Sequence, residues 1–223
     1  MRLIFILLLP FFIFSQDTPL SELDQDLPND IKWVTQSSEY KTLCEQIYRS
    51  ASLSIRNRVA KSDNPVIVMD LDETVLDNSQ YQVELFLNSE KYDIDTWNKF
   101  VKKQISTLVP GAKNFITKYK NKKNAKIIFI SNRSEETLKA TKNNMKKLGV
   151  YFKDDIFLLR KDESDTKIIR RNEVFTGSGR MKKHGSQTII AYFGDAIGDF
   201  PNDVGYAFSI NKFIFPNPMY GKW

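Results

Sequence analysis

In the stretch "VIVMDLDETVLDNS", residues 66 to 79, four apolar residues run straight into Asp70, Asp72 and Glu73. A continuous apolar run of that kind predicts a strand covered on both faces, and carboxylates idle at a buried strand end are costly. Three more runs end in reactive side chains. "KIIFI" (126–130) is followed by Ser131, Asn132 and Arg133; "DIFLL" (155–159) leads through "RKDESDTK" to Lys167; "TIIAYF" (188–193) is followed by Asp195 and Asp199.

Four carboxylates brought within a few ångströms repel one another in a poorly hydrated cleft, so a cation has to be shared among them. No Cys or His stands near them, and oxygen-only ligands point to Mg²⁺ rather than zinc or copper. With Mg²⁺ on Asp70 and Asp195, Asp70 can approach a phosphate group and attack phosphorus to form an aspartyl-phosphate. Asp72 returns to the same side of an extended backbone two residues later, where it can protonate the leaving oxygen and then take a proton from water. Ser131 can donate to the phosphoryl oxygens, aided by the N-terminus of a helix beginning near Ser134. Lys167 can balance the charge of Asp70 and of the transferring group, with Lys161 as its rival; the start of a helix at "DTKIIRR" favours Lys167. The lone His184 lies in a glycine-rich loop with no metal-ligand spacing.

Positioning these groups takes a parallel sheet with helices on both faces, in which ligands bind beyond the carboxyl ends of the strands. "SEETLKATKNNMKKLG" predicts one of the helices, with Ser134 as its cap, acids in its first turn, and lysines and Gly149 at its end. Upstream, Tyr40, Leu43, Cys44, Ile47, Tyr48, Ala51, Ile55 and Val59 form one apolar face of a long helix over about 37–61, which makes Cys44 a core residue. Before it, Pro19 and Pro28 interrupt any regular pattern between Asp17 and Asp30. A segment of about 78–109 without a long periodic helix predicts a small cap inserted after the first strand.

Taken together, "MDLDETVLDNSQY", "LVPGAKNFI", "ISNRSEETLKATKNNMKKLG", "LLRKDESDTK", "GDAIGDF" and "PNPMYGKW" resemble the bacterial class C acid phosphatases, the outer-membrane lipoprotein and 5′-nucleotidase type of the haloacid dehalogenase superfamily. The resemblance covers roughly residues 40–223 and implies a haloacid dehalogenase-like α/β fold. It also implies Asp70 as nucleophile, Asp72 as acid/base, and Mg²⁺ held by Asp70, the main-chain carbonyl of Asp72, and Asp195, with Asp199 in or just behind the metal shell. By the same resemblance Trp97 and Tyr220 clasp a nucleobase, so the substrates are small phosphomonoesters, nucleotides among them. A non-catalytic storage or binding protein on the same scaffold is the alternative, against which stands the presence of every catalytic carboxylate.

The 223 residues carry a formal charge of +6, 16 Phe and a single cysteine, so an intrachain disulfide is impossible and stability must come from packing. The basic clusters, such as "KYKNKKNAK" at 118–126, are not interleaved with a nucleic-acid-binding array of aromatics and read as solvated surface, so nucleic acid is not an expected partner. Arg2 followed by the apolar stretch Leu3 to Phe14 and then Ser15 has the layout of a secretory signal peptide over 1–16, leaving a phosphatase domain over 17–223. That stretch is too short for a comfortable membrane span, and no cysteine near the cut offers a lipid acceptor, so a periplasmic or secreted enzyme is expected. Homo-oligomerisation stays open.

Overall fold

The computed structural model describes residues 27–221, and the expected signal segment lies outside them. Among the described residues no helix is long and apolar enough to cross a membrane. The first element among the described residues is α1 (Asn29–Gln36), which sequence periodicity did not reveal. Pro28 reads as a breaker but serves as the residue before the first turn, where its missing N–H costs nothing and its carbonyl accepts from Lys32 N at 2.9 Å. Helix α2 (Ser38–Lys61) starts at Ser37, whose hydroxyl accepts from Tyr40 N at 3.0 Å. Its apolar face buries Tyr40, Cys44, Tyr48, Ala51 and Ile55.

Five strands form one parallel sheet in the order β5-β4-β1-β6-β7: β1 (Val66–Met69), β4 (Lys126–Ser134), β5 (Ile156–Arg160), β6 (Ile189–Gly194) and β7 (Lys212–Ile214). Side chains alternate between the two faces. Ile67, Met69, Ile127, Phe129, Ala191 and Phe193 point into the larger core, covered by α2, α5 (Ala112–Lys120) and α6 (Leu138–Leu148). Val66, Val68, Ile128, Ile130 and Tyr192 point into a second core closed by Val174 of α7 (Lys167–Thr176). Both faces are therefore dry, which explains why the four long runs are apolar without alternation. The chain steps outward from β1 to β4 and β5 and then crosses to β6 on the other side of β1, so the strand order reverses beside β1, where the acids emerge.

Between β2 (Leu76–Asp77) and β3 (Thr107–Leu108), a short antiparallel pair, the chain builds an insertion of two helices, α3 (Ser79–Leu87) and α4 (Ile94–Lys103). Asp93 caps α4, accepting from the N–H groups of Asp95 (2.9 Å) and Thr96 (3.3 Å). The insertion has its own small core of Tyr81, Leu85, Trp97, Phe100 and Val101.

One expectation is corrected. Strand β4 runs on to Ser134, a 3₁₀ turn follows at Glu135–Thr137, and α6 begins only at Leu138. Ser134 pairs with Arg160 of β5 at the end of the sheet and makes no side-chain cap. The expected end of that helix is found at Gly149, which takes the left-handed conformation at φ +76°.

Candidate active site

Asp70 follows β1 directly; its N–H donates to Phe193 O of β6 at 2.9 Å, and it is only 6% exposed. The chain then coils tightly: Val75 N and Leu76 N both donate to Leu71 O, at 2.9 and 2.8 Å, and Glu73 sits in the left-handed region at φ +52°. This coil turns Asp72 toward the end of β4. Arg133 Nε and Nη2 both lie 2.8 Å from Asp72 Oδ1, Asn78 Nδ2 donates to the same oxygen at 3.0 Å, and Ser131 Oγ donates to Oδ2 at 3.3 Å.

Lys167, the first residue of α7, reaches across the mouth of the sheet. Its Nζ stands 2.8 Å from Asp70 Oδ1 and donates to Asp199 Oδ1. Lys161 stays exposed, and only its backbone N–H is engaged, by Asp165 at 3.0 Å. Burial works against the charge of Lys167, but Asp70 and Asp199 outweigh it and raise its pKa. Asp70 is pushed well above the ordinary carboxylate range by burial, with Lys167 pulling it down and Asp199, Asp195 and Asp72 pushing it further up.

Asp195 and Asp199 follow β6. Asp199 folds back over Gly194, where a Cβ would collide with its carboxylate, and its Oδ2 accepts from Ala196 N at 3.0 Å. Burial and the neighbouring Asp199 lift Asp195 to about 6, while Asn217 Nδ2 donates to it at 2.8 Å and opposes the rise. Carboxylate oxygens of Asp70, Asp195 and Asp199 lie within 4.8 Å of one another, close enough to share one cation. Asp70 Oδ1 is buried with no donor well aligned on it, the Lys167 ammonium lying beside it at 2.8 Å. These hard oxygen donors fit a divalent cation of the Mg²⁺ kind.

The two aromatic candidates are placed differently. Tyr220 is about one-third exposed (36%) and donates its hydroxyl to Glu73, and its backbone N–H and that of Met219 turn toward Asn217 Oδ1 at 3.4 and 3.1 Å. Trp97, expected over the rim, is 8% exposed, stacked on Phe100 at 5.7 Å, with the Arg133 guanidinium also 5.7 Å from its ring. It belongs to the core of the insertion, packed against Tyr81 and Phe100 of the same two helices. The exposed ring nearby is Tyr92, at 60%, in edge contact with Tyr81.

Four residues given no role from sequence belong to this site: Glu73, Asn78, Arg133 and Asn217. Glu73 is buried, and burial and Asp72 raise its pKa well above the usual range. Asn78 and Arg133 stand inside the motifs "DNS" and "SNRS", so proximity to Asp72 and Ser131 was the available signal; nothing in one dimension says whom they bond.

A model of the HAD superfamily, subfamily IIIB (Acid phosphatase), matches residues 13–223. Two solved structures of the class C acid phosphatase from Bacillus anthracis are similar to this chain at 28% identity, covering 86% of this chain and 84% of that one. The form with tungstate bound superposes with a TM-score of 0.72 and the other with 0.71.

Proposed function

The chain belongs to the acid phosphatases of the HAD superfamily, subfamily IIIB, and from that premise we propose that it hydrolyses small phosphomonoesters, 5′-nucleotides among them, through an aspartyl-phosphate on Asp70. The observation that carries this reading is the buried Asp70 carboxylate, held within cation-sharing distance of Asp195 and Asp199 with Lys167 alongside.

Asp70, Asp195 and the main-chain carbonyl of Asp72 would hold Mg²⁺, with Asp199 just behind. When bound, the ion neutralises these acids and draws charge from the phosphoryl oxygens. A carboxylate oxygen of Asp70 attacks phosphorus while the bond to the leaving oxygen breaks; that oxygen takes the electron pair and a proton from Asp72. In the second half, Asp72 takes a proton from water, the water oxygen bonds to phosphorus, and the bond to Asp70 breaks to release inorganic phosphate and restore the carboxylate. Ser131, whose hydroxyl already faces Asp72, donates to the phosphoryl oxygens, and Lys167 holds the charge of Asp70 and of the group in transfer.

The partly open ring of Tyr220 supports a contact with a nucleobase, since stacking accepts every base. Export to the periplasm or medium is part of the same proposal and rests on Arg2, the apolar residues 3–14 and Ser15. The test is phosphate release from a panel of phosphomonoesters with and without Mg²⁺, on the wild type and on Asp70→Asn. Metal-dependent turnover lost in the variant, with its melting temperature kept, is the expected outcome; turnover by Asp70→Asn would remove the nucleophile from this reading.

A further inference from the structure

Arg133 is fully enclosed, yet each arm of its guanidinium is in use. Nε and Nη2 both meet Asp72 Oδ1, Nη2 also donates to Asn78 Oδ1 at 3.0 Å, and Nη1 donates to Thr141 of α6 at 3.2 Å. The plane lies 5.7 Å from the Trp97 ring. Asn78 is the residue before α3, and its Oδ1 also accepts from Ser106 Oγ at 2.7 Å, just past the other end of the insertion. A guanidinium can only donate, so the Asn78 amide is fixed with its oxygen toward Arg133 and its Nδ2 toward Asp72. The first stem of the insertion at Asn78, one ring of its core and the Asp72 carboxylate therefore meet on one buried cation, and the second stem is tied to it through Asn78.

We infer that Arg133 is a positioning residue: it locks Asp72 so that Oδ2 alone faces the leaving group, and through Asn78 and Trp97 it makes that orientation depend on how the insertion is seated. The inference rests on the acid/base role of Asp72 proposed above. The last torsion of an aspartate is broad, so an unanchored carboxylate samples many rotations. Three donor contacts on Oδ1 remove that freedom and leave Oδ2, next to Ser131, to carry the proton. A closing insertion that grips the leaving group would thus be felt at the atom that must protonate it.

A merely structural arginine, when lost, slows every substrate alike; one that aims a proton donor slows most the esters whose leaving groups need the proton. The experiment measures kcat/KM for a series of phosphate monoesters, from dinitrophenyl through phenyl to alkyl, on the wild type, Arg133→Met, Arg133→Lys and Asp72→Asn, with melting temperatures for each. Arg133→Met is expected to lose on the order of 10²-fold on alkyl phosphates, the low end of a general-acid contribution, and little on dinitrophenyl phosphate. Arg133→Lys keeps the buried charge but cannot serve Asp72, Asn78 and Thr141 together, so its dependence on the leaving group falls between. Should Arg133→Met not fold, Arg133→Lys decides by the same criterion. An equal loss on all esters, or none, overturns the inference. If Asp72→Asn itself loses equally on all esters, it is the acid role of Asp72 that fails; a steep dependence in Asp72→Asn without one in the Arg133 variants sinks only the role of Arg133.

Discussion

Lys167 Nζ lies 2.8 Å from Asp70 Oδ1 and is also ion-paired with Asp199, so a single ammonium faces two buried carboxylates from two different strand ends. Removing it as Lys167→Met strands those charges, and an uncompensated buried charge costs about 3–5 kcal/mol. The metal-free variant should melt well below the wild type, and millimolar Mg²⁺ should recover more of its melting temperature than it adds to the wild type, because an ion that binds only the folded state stabilises it. Calorimetry with and without the ion checks this; equal shifts in both proteins would mean that lysine and cation do not serve the same acids.

Gly194 is close-packed under Asp199, whereas Gly198, four residues on, has open space where a side chain would start. Gly194→Ala must displace the Asp199 carboxylate, which pairs with Lys167. Displacing a catalytic constellation by about 1 Å costs on the order of 10²-fold in rate, so kcat/KM should fall by about that much, while Gly198→Ala leaves it near the wild-type value. Similar kinetics for the two variants would remove Asp199 from the working site.

Trp97 and Tyr220 should separate cleanly by substrate. Trp97→Ala empties the core of the insertion and should cost about 3–5 kcal/mol of stability, lowering activity on nucleoside monophosphates and on glycerol phosphate to the same degree. Tyr220→Ala should raise KM for nucleoside monophosphates alone. A selective nucleotide defect in Trp97→Ala would show that its ring touches the base after all.

Asp155, far from the site, gives a pH dependence of stability. Its side chain is fully covered beside Lys120, at 3.2 Å, and burial pushes its pKa up to about 6 from an ordinary 3.8, against the pull of Lys120 and of the Phe152 N–H. The folded state therefore holds this proton more tightly than the unfolded one. That stabilisation is complete below pH 3.8 and lost as the pH rises through 6. Relative to Asp155→Asn, the wild type should lose at most about 3 kcal/mol across that window. Urea unfolding of both proteins at the two ends of the range measures it, and a constant difference would contradict the shift.

Much of this was legible in one dimension because it is local chemistry. Residues 66–69, 127–130, 156–159 and 189–193 are apolar without alternation, as strands buried on both faces are, and the reactive residues follow them, directly after the first and second runs, within a few residues of the fourth, and through a loop to Lys167 after the third. Helix α2 was legible from the spacing of Tyr40, Cys44, Tyr48, Ala51 and Ile55, and its bounds at 38–61 lie within a residue of those expected. Where the signal was short, it failed. Strand β7 has three residues, "KFI", and exists because Tyr192, Phe193 and Gly194 of β6 offer it an edge. Helix α1 was hidden by the proline that opens it.

By itself, then, the sequence determined which residue types reach the ends of the strands, since strand and helix periods are properties of neighbours along the chain. Only the tertiary structure decided partnership: that Lys167 and not Lys161 meets Asp70, that Trp97 turns inward, and that Arg133 clasps an aspartate 61 residues before it. Those choices follow from packing in three dimensions, where a buried charge must find whichever opposite charge the fold has already brought within reach.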